Sequence, residues 1–139
     1  MKNRLLFLGL AALMLTSCSN DDDNSTSIDS TELTKKWYYS STVFGGTTFP
    51  YDDHEACGKD YIEFVEGGVL RDVDVWDCEE DVYLMAWDLN GNKITLSDGL
   101  DTAVGTIKKL TDSELHVQSK YDYDDDGDME TVIEKFTAQ

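Results

Sequence analysis

The chain is 139 residues long and carries 11 Lys and Arg against 29 Asp and Glu, a formal charge of −18. That length suits one domain, and so negative a charge repels a phosphate backbone, which excludes nucleic acid as a partner. Three Trp, seven Tyr and five Phe supply enough apolar surface for a core, which excludes disorder throughout.

In chain order, Met1–Arg4 is a short basic segment, followed by the uncharged apolar run Leu5–Leu15. The run is too short to span a bilayer as a helix, which takes about 20 residues, so 1–17 reads as a secretory signal peptide. Leu15-Thr16-Ser17-Cys18 resembles the lipobox of bacterial lipoproteins. The resemblance implies cleavage before Cys18 and a diacylglycerol thioether on its sulfur; an ordinary signal peptide with an incidental cysteine is the rival. With Cys18 lipidated, Cys57 and Cys78 remain. In an exported chain two remaining cysteines most simply form a disulfide, and metal ligation by two lone thiols is the alternative.

Residues 18–31 are polar and acidic with almost nothing to bury, which predicts a flexible lipidated tether before a domain at 32–139. Asp21-Asp22-Asp23 resembles the acidic export tag that some Gram-negative bacteria use to send lipoproteins to the outer face of the outer membrane. A plain solvated linker is the other reading. The implied address is the outer membrane, lipid-anchored, exposed at the cell surface or facing the periplasm.

From Trp37 onward no segment sustains a helical period beyond two turns, whereas alternation and turn residues recur. Eight strands are expected, over 37–43, 61–65, 69–76, 82–89, 93–97, 103–110, 114–121 and 129–137. Glu66-Gly67-Gly68, Asn90-Gly91-Asn92 and Thr111-Asp112-Ser113 supply tight-turn chemistry between them. On 114–121, Leu115, Val117 and Tyr121 share one face; on 82–89, Tyr83, Met85, Trp87 and Leu89 do. Hairpin after hairpin predicts an all-β fold, a small up-and-down antiparallel barrel, since closure removes exposed edges. The long connection 44–60 holds the only proline and Cys57, so the disulfide would pin it near the end of the third expected strand.

Trp37 after a short helical turn, Cys57, Tyr61-Ile62-Glu63-Phe64 before a glycine turn, Cys78, Trp87 before Asn-Gly, and Ile107-Lys108-Lys109-Leu110-Thr111 leading to Leu115 form a positional pattern. The pattern resembles the lipocalin-like domains of Gram-negative bacterial lipoproteins, over about residues 32 to 138. The glycine of the lipocalin Gly-x-Trp opening is Lys35 here. The resemblance implies a carrier holding a small apolar ligand, and Trp37, Phe64, Trp76, Tyr83, Trp87 and Phe136 are the candidates to line it. The same aromatics could instead plug a solid core.

Chemistry-bearing patterns are few. Asp122, Asp124, Asp126, Gly127, Asp128 and Glu130 reproduce the opening of a calcium loop, with hard oxygen ligands at alternate positions and a glycine at the sharp turn. Ile133 stands where the bidentate glutamate belongs, so Ca2+ is a possible cofactor and a solvated acidic hairpin tip is the rival. Asp72, Asp74, Asp77, Glu79, Glu80 and Asp81 read as a solvated strand face, because no cue buries one of them. His54 and His116 accompany no nucleophile or zinc spacing. No catalytic residues are expected. Two functions remain open: a non-enzymatic lipid-anchored lipoprotein binding a small apolar ligand, or an acidic surface module binding or inhibiting a basic protein, with a packed interior.

Overall fold

The computed structural model describes residues 27–139. One helical turn, α1 (Ser30–Leu33), precedes nine strands: β1 (Lys36–Phe44), β2 (Thr47–Pro50), β3 (Tyr61–Val65), β4 (Val69–Trp76), β5 (Glu79–Asn90), β6 (Lys93–Ser97), β7 (Thr102–Leu110), β8 (Glu114–Tyr121) and β9 (Glu130–Thr137). Neighbours pair antiparallel from β3 to β9, and β9 closes onto β1. The fold is an eight-stranded closed antiparallel barrel with one extra strand.

All eight expected strands are present, and β2 is the addition. Gly45 and Gly46 both adopt positive φ (56° and 79°), the conformation a tight two-residue hairpin demands, and they turn the chain back on itself. β2 then pairs with Ser41–Phe44, whereas Lys36–Tyr38 pairs with β3. Between these two stretches the loop takes over, with Tyr51 N–H donating to the Ser40 carbonyl and Tyr39 N–H to the Asp60 carbonyl. A bulge at Ser40 re-aims β1 against β9 at this point.

Strand pairing sorts side chains to the two faces of the wall, since directly opposed residues lie on the same side. Trp37, Ile62, Phe64 and Leu70 face inward at one end and form a dense core with Leu33, Ile94, Ile107, Leu115 and Phe136. α1 is the plug of that end. Asp29 caps it by accepting the Thr31 N–H, Leu33 is fully buried, and the Trp37 indole N–H donates to the Leu33 carbonyl at 2.9 Å. Burying a leucine so completely contributes about 2 kcal/mol.

Folded structure begins earlier than the expected boundary at 32. Ile28, the one apolar residue in the expected tether after Cys18, packs against the core, and its N–H reaches the Gly91 carbonyl at 3.4 Å.

Candidate functional site

An up-and-down barrel sends alternate connections to opposite ends. The connections between β1 and β3, β4 and β5, β6 and β7, and β8 and β9 emerge together, away from α1. They carry Asp52, Asp53, Glu55, the Asp77 turn, Asp98, Asp101 and the run Asp122–Asp128. Lys59 is the one lysine or arginine in these four connections. One end of the barrel is therefore plugged and apolar, and the other is an acidic rim.

Below that rim the interior turns polar. Asp72 pairs with Ile62, and Glu134 pairs with Thr42 and Val117, positions that face inward. The Tyr39 hydroxyl donates to Asp72 Oδ1 at 2.9 Å. Burial pushes the Asp72 carboxyl above its ordinary value, opposed by the Tyr39 bond and reinforced by the negative charge of Asp74 and Asp60. Glu134 is raised for the same first reason, and the charge of Asp72 adds to it. Tyr121 is pushed up to about 12, chiefly by burial and then by Glu134. The phenol of Tyr39, packed against Phe136 and Tyr51, is raised well beyond the usual tyrosine range, mainly by burial. Two inward carboxyls under an acidic rim make a place of strong negative potential, suited to holding a positive group or a proton.

This interior pair is what sequence reading missed. The acids from Asp72 to Asp81 read in sequence as a solvated face; Asp74, Asp77, Glu79, Glu80 and Asp81 are exposed, and Asp72 is half-buried. On β4 the phase is misleading, because Val73 and Val75 face outward and are nevertheless buried. Val75 lies under the loop at Gly58, and Val73 stands between Tyr61 and Val82. The usable signal is register: Asp72 is two residues from the inward Leu70, and Glu134 sits between the inward Val132 and Phe136.

The loop 51–60 is a braced strap on this rim. Asp60, 1% exposed, accepts the Tyr51 hydroxyl and the Val75 N–H. His54 Nδ1 accepts the Asp60 N–H at 3.1 Å, which puts its ring proton on Nε2, where it donates to the Tyr39 carbonyl. Cys57 and Cys78 form the expected disulfide, their Cα atoms 5.7 Å apart. Glu55 adds N–H bonds from Asp77 and Cys78, whose backbones are left-handed. His54 therefore acts as a brace for the loop.

The other expected residues divide clearly. Trp37, Phe64 and Phe136 are buried in the core, and Trp87 packs edge-on to Phe64 at 5.2 Å with its N–H on the Val65 carbonyl. Trp76 and Tyr83, expected to line the interior, do not: they are 71% and 53% exposed. Both hold inward positions of the β4–β5 hairpin, but that hairpin overshoots the wall. β3 pairs with β4 only as far as Val73, and β6 pairs with β5 only from Ala86. β3 does not reach Trp76, whose ladder partner on β5 is the exposed Glu79, and the Tyr83 hydroxyl donates to Asp98 Oδ2 on the rim. Asp98 is held down to about 2, first by the Asp101 N–H and then by Tyr83 and the Leu100 N–H.

Of the calcium-loop residues, Asp122, Asp124 and Glu130 bring one carboxylate oxygen each within 4.8 Å of the others. Asp126 and Asp128 do not join them. Asp122 accepts the N–H groups of Asp126 and Gly127, Glu130 accepts that of Tyr123, and Asp126 turns to the Asp128 N–H. The loop is organised by its own backbone, with three carboxylates left able to share a cation. Cys18 lies outside the described residues.

A cleft of about 600 Å3 lies at the plugged end, between α1 and the Gly67-Gly68 turn, with Trp87 on its wall. Of the six aromatics expected to line a ligand, Trp87 alone borders it.

No family model matches the chain, and no curated protein matches it. Among solved structures, it is similar to an uncharacterized protein from Bacteroides eggerthii DSM 20697, at 11% identity and a TM-score of 0.55, over 77% of this chain and 99% of that one. At that identity the likeness concerns the fold alone.

Proposed function

We infer that this chain is a non-enzymatic, lipid-anchored outer-membrane module that captures a basic protein partner at the open end of its barrel. The observation that carries this reading is the rim, where four connections converge with a single lysine among many carboxylates, above Asp72 and Glu134. The lipobox-like Leu15–Cys18 and the acidic segment behind it supply the anchor in this reading. The packed aromatics at the plugged end favour it over an apolar-ligand carrier, whose cavity Trp37, Phe64 and Phe136 would have to vacate.

Opposed potentials accelerate encounter and weaken with salt, because the screening length falls to about 10 Å at 0.1 M. The test is binding of polylysine to the full chain in detergent micelles at rising salt. Asp122→Lys with Asp124→Lys on the rim is compared with Glu66→Lys and Asp112→Lys at the plugged end, an equal change in net charge. Loss with the first pair alone places capture at the rim. Equal loss with both pairs reduces the effect to net charge and overturns the reading.

A further inference from the structure

The β4–β5 hairpin overshoots the barrel, and its two free edges are treated differently. On the β4 side the overhang is capped: Val75 N–H is held by Asp60, and the N–H groups of Asp77 and Cys78 by Glu55. On the β5 side, β6 stops at Ser97 opposite Ala86, so Glu79–Met85 has no neighbour there among the described residues. Trp87 donates its N–H toward β4, to the Gly68 carbonyl at 2.8 Å. Backbone direction alternates along a strand, so Glu80, Val82 and Leu84 point their N–H and C=O groups out of the open side. Leu84 is 60% exposed, and Val82 and Tyr83 beside it are exposed too.

Open edges with apolar side chains invite another strand, and natural proteins blunt them with charge, cover or closure. Here Glu79, Glu80 and Asp81 supply the charge, all of one sign, with Asp98 and Asp101 close by on the rim. A second copy laid antiparallel over Glu79–Met85 would leave its acids opposite Tyr83–Met85 rather than opposite cations, and would bring up another chain of charge −18, so like charge opposes self-pairing. Opposite charge completes the edge instead.

We propose that the free edge of β5 accepts an extended segment of a partner protein by antiparallel strand addition. The segment pairs Lys or Arg with Glu79–Asp81 and apolar, β-branched residues with Val82–Met85. Main-chain bonds to Glu80, Val82 and Leu84 give the register, and the acids select the sign of the partner. This rests on the proposed capture of a basic partner and specifies how that partner is held.

The probe is a fluorescent capped peptide, Ile-Thr-Val-Thr-Lys-Arg-Lys, titrated into the full chain in detergent. A second peptide of identical sequence carries N-methyl groups on alternate residues, which removes the donors facing β5 and leaves charge and side chains in place. Strand addition predicts that N-methylation weakens binding by about tenfold or more, since each lost bond is about 0.5–1.5 kcal/mol and 1.4 kcal/mol is tenfold. It also predicts slowed amide exchange at Val82 and Leu84 with the unmodified peptide alone. Val82→Pro, which removes one outward N–H at an edge, lowers affinity for the unmodified peptide similarly. Equal binding of the two peptides overturns strand addition while leaving rim capture of basic partners intact. Binding of neither peptide overturns it as well, and only failure of polylysine in addition removes the underlying function. Self-association through the same edge, seen by sedimentation and abolished by Val82→Pro, assigns the edge to a second copy and overturns the proposal.

Discussion

The Tyr39 phenol on β1 donates to Asp72 on β4 across the intervening strand β3, a 2.9 Å bond inside the barrel wall. It ties two strands that share no ladder and gives a half-buried carboxylate a side-chain donor. A hydrogen bond to a charged group is worth about 1.5–3 kcal/mol, more than a neutral one. We predict that Tyr39→Phe destabilises the protein by about 1–3 kcal/mol at neutral pH and by clearly less at a pH below 3.8, the ordinary value that Asp72 exceeds, where its carboxyl is mostly protonated. Urea unfolding of the variant at both pH values checks this. An equal loss at both would mean that the phenol acts through packing on Tyr51 and Phe136 alone.

Asp72 and Glu134 set the direction of the wider pH response. Their folded values lie above the ordinary 3.8 and 4.5, so the folded state binds protons more readily than the unfolded one. Their contribution is fully present below those ordinary values and is lost as pH rises through the folded ones. Asp98, held down to about 2, works oppositely: its contribution is present above 3.8 and is lost as pH falls toward 2. Stability should therefore rise as pH falls from 7, peak at mildly acid pH, and drop below it. Melting temperature against pH measures this, and Asp72→Asn with Glu134→Gln should flatten the rise on the alkaline side. A double variant with an unchanged profile would assign the rise to general relief of charge repulsion.

Cys57 and Cys78 are 21 residues apart and join the strap to the β4–β5 turn. Closing a loop of that size restricts the unfolded chain by about 3 kcal/mol in the loop-entropy model. Replacing both cysteines by Ala should lower stability by about that much, with amide exchange rising most at Asp77 and Cys78, whose N–H groups rest on Glu55. A uniform rise across the whole barrel would show that the bridge acts only through the unfolded state.

How far the sequence announces these features depends on which force sets each one. Alternating apolar residues and Gly or Asn turns fix the eight barrel strands, because burial of one face sets both period and register. β2 escapes that logic: Thr47, Thr48, Phe49 and Pro50 are all exposed, and only the Gly45-Gly46 turn marks them. The early start of β5 at Glu79 is hidden similarly, since its acids lie beyond the wall, where no burial imposes a pattern. The disulfide is legible from the cysteine count. Asp72 and Glu134 are not, because an inward carboxylate looks like an outward one until the strand's phase is known. Trp76 and Tyr83 fail for the complementary reason: they have inward phase, but at positions where the barrel has already ended.

Gly105 and Val117 meet where β7 passes β8, and the contact leaves no room for a side chain. A Cβ on Gly105 would lie 2.6 Å from Val117 Cγ1 and 3.3 Å from Ile94 Cγ2. Both neighbours pack in or against the core, so neither can swing into solvent. Gly105→Ala should therefore destabilise by about 1–3 kcal/mol, the range for overpacking, even though alanine suits a strand better than glycine. Val117→Ala alone should also destabilise, by emptying the space its methyl groups fill. Combined, each change relieves the other, because the new methyl of Ala at 105 occupies volume that Val117 gives up. The double variant should recover at least about 0.5 kcal/mol relative to the sum of the singles, a coupling expected only of residues in contact. Chemical denaturation of the four proteins closes the cycle. Additive losses would mean that β7 and β8 move apart to admit the methyl, as their missing ladder bonds above Thr106 would permit.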